Sequence, residues 1–552
     1  MQGTTHNLGT ESSPEDEPLQ VESRLAWMVL GLVCVPVFLG SIDLTVVSAF
    51  LPRLLSDLGL VLDAQGLGNA SWILTSYLLA YSISLFTMGR VSDLIGRRAA
   101  LAICLTLYII GSILVVGYTI PAAALTVIYD IIGVGVDESI INLHAIVLAR
   151  IIAAFGAGAI TSIAIALVGD LFKAEARAVP LGIVVATDTV GWLIGAAWGG
   201  FIIQFLPWQA IFLINIPLVL IALGLMLWVL RKVPQWRESG RLDVLGFGLL
   251  TAVLTLLNIG LVNIQTSAEG LNLSTTLPAF GAAGIFFAFF IWSQLRSPQP
   301  LINMNLFRDR GVTTATILNT LVGYAMFIPL VSVPLLINIQ NIEEIGFATV
   351  VEPIRENAFK NASLQTGLLM GAFTIPLALA SVVSGWMIDR IGAAWTALIG
   401  LVMAFVGFGL NWQLLSLDTP NIQTAALMAL TGAGIGLTFT PVITTTLNAV
   451  KEGERGMASA LILGMRMVGM TLSTSTMSSF AAQRINDLVI AVESGRLIFD
   501  LVPPAEYANV YPTTFINSAT QMLGEMALIG LATILVALVP ALLLPRRAVT
   551  QA

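Results

Sequence analysis

Fourteen stretches of this chain are apolar for about twenty residues or more, the length a helix needs to cross ~30 Å of hydrocarbon. They run over 26–51, 70–89, 99–118, 144–168, 180–205, 208–230, 244–265, 277–293, 312–337, 365–388, 395–415, 422–449, 457–481 and 520–544. Asp, Glu, Lys and Arg make up only 10% of the 552 residues, where a soluble domain carries about 25%. So little charge cannot cover a globular surface of this size. A soluble enzyme, a coiled coil, a disordered protein and a nucleic-acid binder are excluded as the whole molecule. The net charge of −7 gives polyanions no reason to bind. Cys34 and Cys104 are the only cysteines, and both lie in apolar stretches, so neither a disulfide framework nor a cysteine metal site is expected. The chain reads as an all-α, polytopic membrane protein.

Orientation follows from the basic residues of the short loops. With the N-terminus in the cytoplasm, Arg53, Arg355, Lys360, Arg484 and Arg496 fall outside, and Arg150 and Arg466 fall within stretches. All other Lys and Arg, including Arg90, Arg97, Arg98, Lys173, Arg177, Arg231 and Lys232, then face the cytoplasm. Residues 1–24 are an acidic tail containing Pro and Ser, predicted to be disordered. That tail lacks the basic start of a signal peptide, so the first stretch is expected to be retained as a span. Residues 120–136 are apolar enough to be a fifteenth span, but they hold Asp130, and a crossing there would move Lys173 and Arg177 outside. Segment 119–143 is therefore expected to be an external insertion on or re-entering the interface, and 483–519 a second external segment.

Two loops share a pattern. Gly89-x3-Asp93-x2-Gly96, followed by Arg97 and Arg98, comes after the second stretch, and Gly385-x3-Asp389-x2-Gly392 comes after the tenth. Both follow the second stretch of a six-stretch block if the seventh and eighth are set aside, which describes a parallel repeat. Further signals agree. The first stretch holds Asp43-Leu44-Thr45-Val46-Val47-Ser48, and the chain continues to Pro52. The fourth holds Arg150-x5-Gly156-x-Gly158, and the fifth Gly182-x8-Gly191-x3-Gly195-Ala196-x2-Gly199-Gly200. Together these resemble the major facilitator superfamily and, with fourteen stretches, its drug:proton antiporter-2 branch. Ser48 stands where that branch has Asn, and Ala196 where its glycine signature has Pro. The resemblance implies a secondary active transporter rather than an enzyme. It implies fourteen transmembrane helices arranged as two six-helix halves (25–230 and 301–545), a linker with two extra helices (231–300), and cytoplasmic tails (1–24 and 546–552). The expected location is the plasma or inner membrane.

Charge at the centre of a spanning helix costs about 2.5–3.5 kcal/mol on insertion scales. Asp43, Arg150, Asp188, Arg466 and Glu525 lie within stretches and so require a reason. At ~1.5 Å per residue, Asp43 falls roughly 13 Å and Arg150 roughly 9 Å from the outer face, with Asp188 and Arg466 near the midplane. Burial favours a protonated acid and a neighbouring guanidinium favours the ionised one. Asp43 is thus a candidate proton carrier tuned by Arg150, with Asp188 and Arg466 as further proton or substrate sites. A fixed ion pair that staples two helices is the alternative. Glu525 lies nearer the outer face, where water would suffice.

The resemblance implies gating roles for Gly89, Asp93, Gly96 and Arg97, with Asp93 capping a facing helix N-terminus or pairing with Arg. It implies the same, more weakly, for Asp389. Gly191, Gly195 and Gly199 share one helix face, which with Gly200 permits close helix approach or sliding. Trp72, Tyr77, Tyr81 and Trp192 could line a pocket for flat cations. No P-loop, His-Glu-x2-His or Cys/His cluster occurs, and no cofactor or metal is expected. The implied function is proton-coupled export of lipophilic, cationic small molecules by alternating access, with multidrug resistance as its consequence. The alternatives are export of one dedicated metabolite or lipid, and uniport or symport on the same scaffold. The expected partners are substrate, protons and the lipid bilayer, and no nucleic acid.

Overall fold

The computed structural model describes residues 23–49, 54, 57–58, 64–173, 176–203, 205–235, 237, 240–266, 273–340, 352–417, 419–451, 454–496 and 504–545. Most of the N-terminal tail, Pro52, Arg53, Arg546 and Arg547 lie outside the described residues. The helices, in order, are α1 (Ser23–Thr45), α2 (Ala64–Ile95), α3 (Arg97–Val116), α4 (Thr119–Ile132), α5 (Glu138–Leu171), α6 (Ala178–Ile202), α7 (Gln209–Val229), α8 (Val244–Thr266), α9 (Leu273–Arg296), α10 (Arg310–Gln340), α11 (Glu352–Ile391), α12 (Ala393–Leu414), α13 (Asn421–Asn448), α14 (Arg455–Arg496) and α15 (Pro504–Leu542). No strand occurs among the described residues. Twelve helices there are long and apolar enough to cross a membrane, and Ala178–Trp192 and Val244–Gly260 are shorter apolar stretches. The expectation of fourteen crossings is met in that count for twelve.

The two segments expected to be external both hold helix. The 120–136 stretch forms α4, whose 14 residues rise only ~21 Å, too little to cross. It packs on the start of α5 through Ala122, Ile141 and Ala145, leaving Ile120 and Ile131 exposed. The supposed external segment 483–519 is taken up largely by continuing helix. α14 has 42 residues and α15 has 39, each about twice what a crossing needs. Hydropathy ends where apolar residues end, but a helix persists while its residues still form helix and find partners. Here Arg484 of α14 makes two 2.7 Å hydrogen bonds to the two carboxylate oxygens of Glu525 on α15. Glu525, expected to be simply hydrated, is therefore one side of a paired fork.

Glycine decides how closely the helices approach, because lipid supplies no hydrophobic drive between them. α5 lies between α2 and α3. A Cβ on Gly156 would overlap backbone of Cys104 and Tyr108 in α3, and a Cβ on Gly158 would overlap the Tyr81 carbonyl in α2. Gly158→Val should therefore cost about 1–3 kcal/mol, read as a lower thermal midpoint of the detergent-solubilised protein. An unchanged midpoint would contradict this packing.

α1–α7 and α10–α15 form two groups of helices that meet along two seams. α6 packs against α11 and α13, and α14 packs against α2 and α5. α8 and α9 pack on each other, and α8 also touches α2 and α14.

Candidate functional site

The charged residues form three layers along the bundle, each placed by the helix that carries it. The repeated loops mark one end. Gly96 (φ 92°) and Gly392 (φ 84°) have the left-handed backbone that suits glycine, so α2–α3 and α11–α12 turn in the same way. At the first turn, the Asp93 carboxylate accepts hydrogen bonds from the backbone N–H groups of Gly456 (3.0 Å) and Met457 (2.9 Å) at the start of α14. This caps a helix N-terminus across the two groups of helices. Arg97 pairs with Asp93 and donates from Nε to Asp170 at 3.0 Å, and Arg455 Nη1 donates to Asp170 at 3.1 Å. A Cβ on Gly89 would collide with Gly456 and Ala460, so glycine is what lets α2 reach α14.

The second copy keeps the glycine contact and not the cap. Gly385 lies against the backbone of Ala178 and Val179 at the start of α6. Asp389 is exposed, and its neighbour Arg390 stacks on the Trp386 ring. On the same seam Arg177 hydrogen-bonds Asn448, and the Ser381 hydroxyl donates to the Gly182 carbonyl at 3.3 Å.

Asp188 and Arg466 form the middle layer. Asp188 lies roughly 15 Å along α6 from its start, and Arg466 roughly 16 Å along α14. They meet across the two groups, with Arg466 Nη2 3.6 Å from Asp188 Oδ2. Asp188 Oδ1 accepts the hydroxyls of Ser41 (2.6 Å) and Thr161 (2.9 Å). Arg466 lies 4.6 Å from the Phe439 ring centroid. Buried Tyr81, Met467 and Met470 are part of the apolar core around this layer.

Asp43 and Arg150 form the third layer. Arg150 Nη1 donates to Asp43 Oδ1 at 2.8 Å, and Nη2 donates to the Asp43 carbonyl at 3.1 Å. The side chains are 0% and 1% exposed. Among the described residues, Asp43 Oδ2 and Arg150 Nε have no hydrogen-bond partner. α1 ends at Thr45, so Asp43 lies in its last turn, roughly 30 Å from Ser23. The pair therefore stands near the far end of α1, which a 3-10 turn over Val46–Ala49 continues. Arg150 covers the Tyr77 ring at 3.9 Å, so a ring expected to meet a cationic ligand already holds the protein's own cation. Tyr81 and Trp192 are buried, and Trp72 is exposed.

The glycine face of α6 makes its close approach to α1. A Cβ on Gly191 would meet Phe38 and Ser41, and one on Gly195 would meet Ile42 and Thr45, all in or at the end of α1. Gly199 is buried on the same helix, which also carries Gly200. On α6 it is Gly182, against Ser381 and Val382 of α11, that lies on the seam. Sequence reasoning missed Asp170 and Arg455, which lie at the ends of apolar stretches where charge is ordinary. It also missed Ser41 and Thr161, whose hydroxyls carry no signal until Asp188 is placed beside them. Among the described residues no group of three or more His, Cys, Asp or Glu could hold a metal ion.

The sequence matches the model of the Major Facilitator Superfamily over residues 33–351 and again over 315–550. It is 29% identical to a triacylglyceride transporter of Mycolicibacterium smegmatis, over 89% of this chain and 82% of that one. To a triacylglyceride transporter of Mycolicibacterium hassiacum it is 27% identical, over 90% and 84%. Among solved structures it resembles a bacterial homologue of the iron transporter ferroportin in an outward-facing state, with a TM-score of 0.57, 12% identity, and 94% and 98% coverage. It also resembles a proton:xylose symporter, with a TM-score of 0.55, 15% identity, and 94% and 97% coverage. At such identities these two likenesses concern the fold alone. A polytopic helical bundle, a repeated loop that joins two groups of helices, and a family match over most of the sequence lead to one conclusion: the chain belongs to the major facilitator superfamily and is a multi-pass membrane transporter, not an enzyme.

Proposed function

We propose that this protein is a proton-coupled exporter of one dedicated lipid-like cargo, a neutral glyceride, moved by alternating access between halves 25–230 and 301–545. Segment 231–300, with α8 and α9, is then an inserted pair that makes fourteen spans, as in the drug:proton antiporter-2 branch, and both termini are cytoplasmic. The observation that carries the reading is the Asp188–Arg466 pair, which joins the two groups of helices midway along the bundle amid apolar side chains. A neutral, largely apolar cargo suits that interior, and a cation would meet Arg466. The relatives named triacylglyceride transporters favour the dedicated-lipid alternative over export of cationic drugs.

In this scheme the closed loop end, held by Asp93, Arg97, Asp170 and Arg455, belongs to the outward-facing state. Protonation of Asp188 or Asp43 weakens a pairing that holds one arrangement. A transmembrane potential contributes ~2.3 kcal/mol per charge per 100 mV toward the exchange. The test is reconstitution into vesicles with an imposed pH gradient, following a fluorescent triacylglyceride and a lipophilic cationic dye in parallel. Gradient-driven movement of the glyceride alone is expected, with the gradient dependence lost in Asp43→Asn. Movement of the dye alone restores the drug-export reading. Glyceride movement indifferent to pH makes the protein a uniporter.

A further inference from the structure

Exposed tryptophans pair with cations at one end of this bundle. Lys232 Nζ is 5.2 Å from the Trp228 ring centroid, Arg296 Cζ is 4.6 Å from that of Trp292, and Arg390 Cζ is 3.8 Å from that of Trp386. In each case the cation follows the ring by four residues, at or just past the C-terminal ends of α7, α9 and α11. The three rings are 58%, 50% and 50% exposed. The cation–ring contacts of Arg150 and Arg466 are buried and belong to the layers above. In the orientation proposed above, these helix ends face the inner leaflet. An indole there sits at headgroup level, and a residue four positions on lies about 6 Å nearer the cytoplasm. A guanidinium stacked on a ring keeps its N–H edge free for a phosphate.

The three ends differ in local charge. Exposed Arg231 precedes Lys232, and no Asp or Glu stands beside them in the sequence. After Arg296, residues 297–299 line a cleft with Arg241 and Asp243. Asp243 there is occupied by Gln294 Nε2 (2.8 Å) and the Gly246 N–H (2.8 Å). At the third end exposed Asp389 stands next to Arg390 and cancels its charge.

We propose that the ends of α7 and α9 bind the phosphodiester headgroup of an anionic glycerophospholipid, whereas the end of α11 is an interfacial anchor without that charge preference. The two sites lie at the two ends of segment 231–300, so bound lipid holds that segment against the inner leaflet.

The test uses the full-length protein, delipidated in detergent and offered equimolar phosphatidylglycerol and phosphatidylcholine, with native mass spectrometry as the readout. The first two lipids bound should favour phosphatidylglycerol by about fivefold per basic residue engaged. The preference should vanish in Arg231→Gln/Lys232→Gln/Arg296→Gln, persist in Arg390→Gln, and withstand millimolar inorganic phosphate. The proposal is overturned by no preference in the wild type, by one that survives the triple substitution, by an equal loss in Arg390→Gln, or by displacement with phosphate, which would make these small-anion sites. If the triple variant does not fold, quenching of wild-type tryptophan by brominated lipids decides. Stronger quenching by the brominated phosphatidylglycerol supports the proposal, and equal quenching overturns it.

Discussion

Arg466→Ala is expected to abolish transport and to lower stability by about 3–5 kcal/mol, the usual cost of removing one partner from a buried ion pair. The Asp188 carboxylate would keep only the Ser41 and Thr161 hydroxyls, at a site where it is 9% exposed. A double variant, Asp188→Asn with Arg466→Gln, removes both charges and should recover most of the stability. It should stay inactive, because nothing ionisable then joins the two halves midway along the bundle, where the Asp188–Arg466 pair stands in the wild type. Stability is read from thermal unfolding in detergent and transport from glyceride movement in vesicles. Wild-type transport by Arg466→Ala would remove the central pair from the mechanism.

Asp93→Ala should open the loop end. The substitution deletes an ion pair with Arg97 and two hydrogen bonds to the N-terminus of α14. Hydrogen bonds to a charged group contribute about 1.5–3 kcal/mol each. Loss of ~3 kcal/mol shifts a two-state population by roughly a hundredfold. Spin labels at Arg98 and Lys451, one on each side of the seam, should then show a second, longer distance by pulsed electron resonance. Asp389→Ala should leave that distribution unchanged, because Asp389 is exposed and caps nothing among the described residues. Equal opening by both substitutions would mean that the two copies of the loop are equivalent latches.

The repeated loop shows how far a motif carries. Its spacing was legible because the backbone turn requires it, and Gly96 and Gly392 adopt matching conformations. The cap was legible for Asp93 as a type of interaction. The partner was not, since Gly456 and Met457 lie over 360 residues away. The aromatic residues were harder to read. Tyr77 was a candidate for meeting a cation and does meet one, but the cation is Arg150 of the same chain. Glu525 and Arg484 stood apart in a one-dimensional reading and share a two-pronged contact in the fold.

Sequence alone determined that this chain spans a membrane many times, that it repeats a loop, and that a few charges lie where hydrocarbon should exclude them. Those conclusions rest on length, hydropathy and spacing, which are properties along one line. Tertiary structure decided that Asp188 meets Arg466, that Asp43 sits at the end of its helix, and that the glycine face of α6 leans on α1. Such pairings depend on the rotation of each helix about its axis and on which neighbour it docks against. Both are set by packing among residues far apart in the chain.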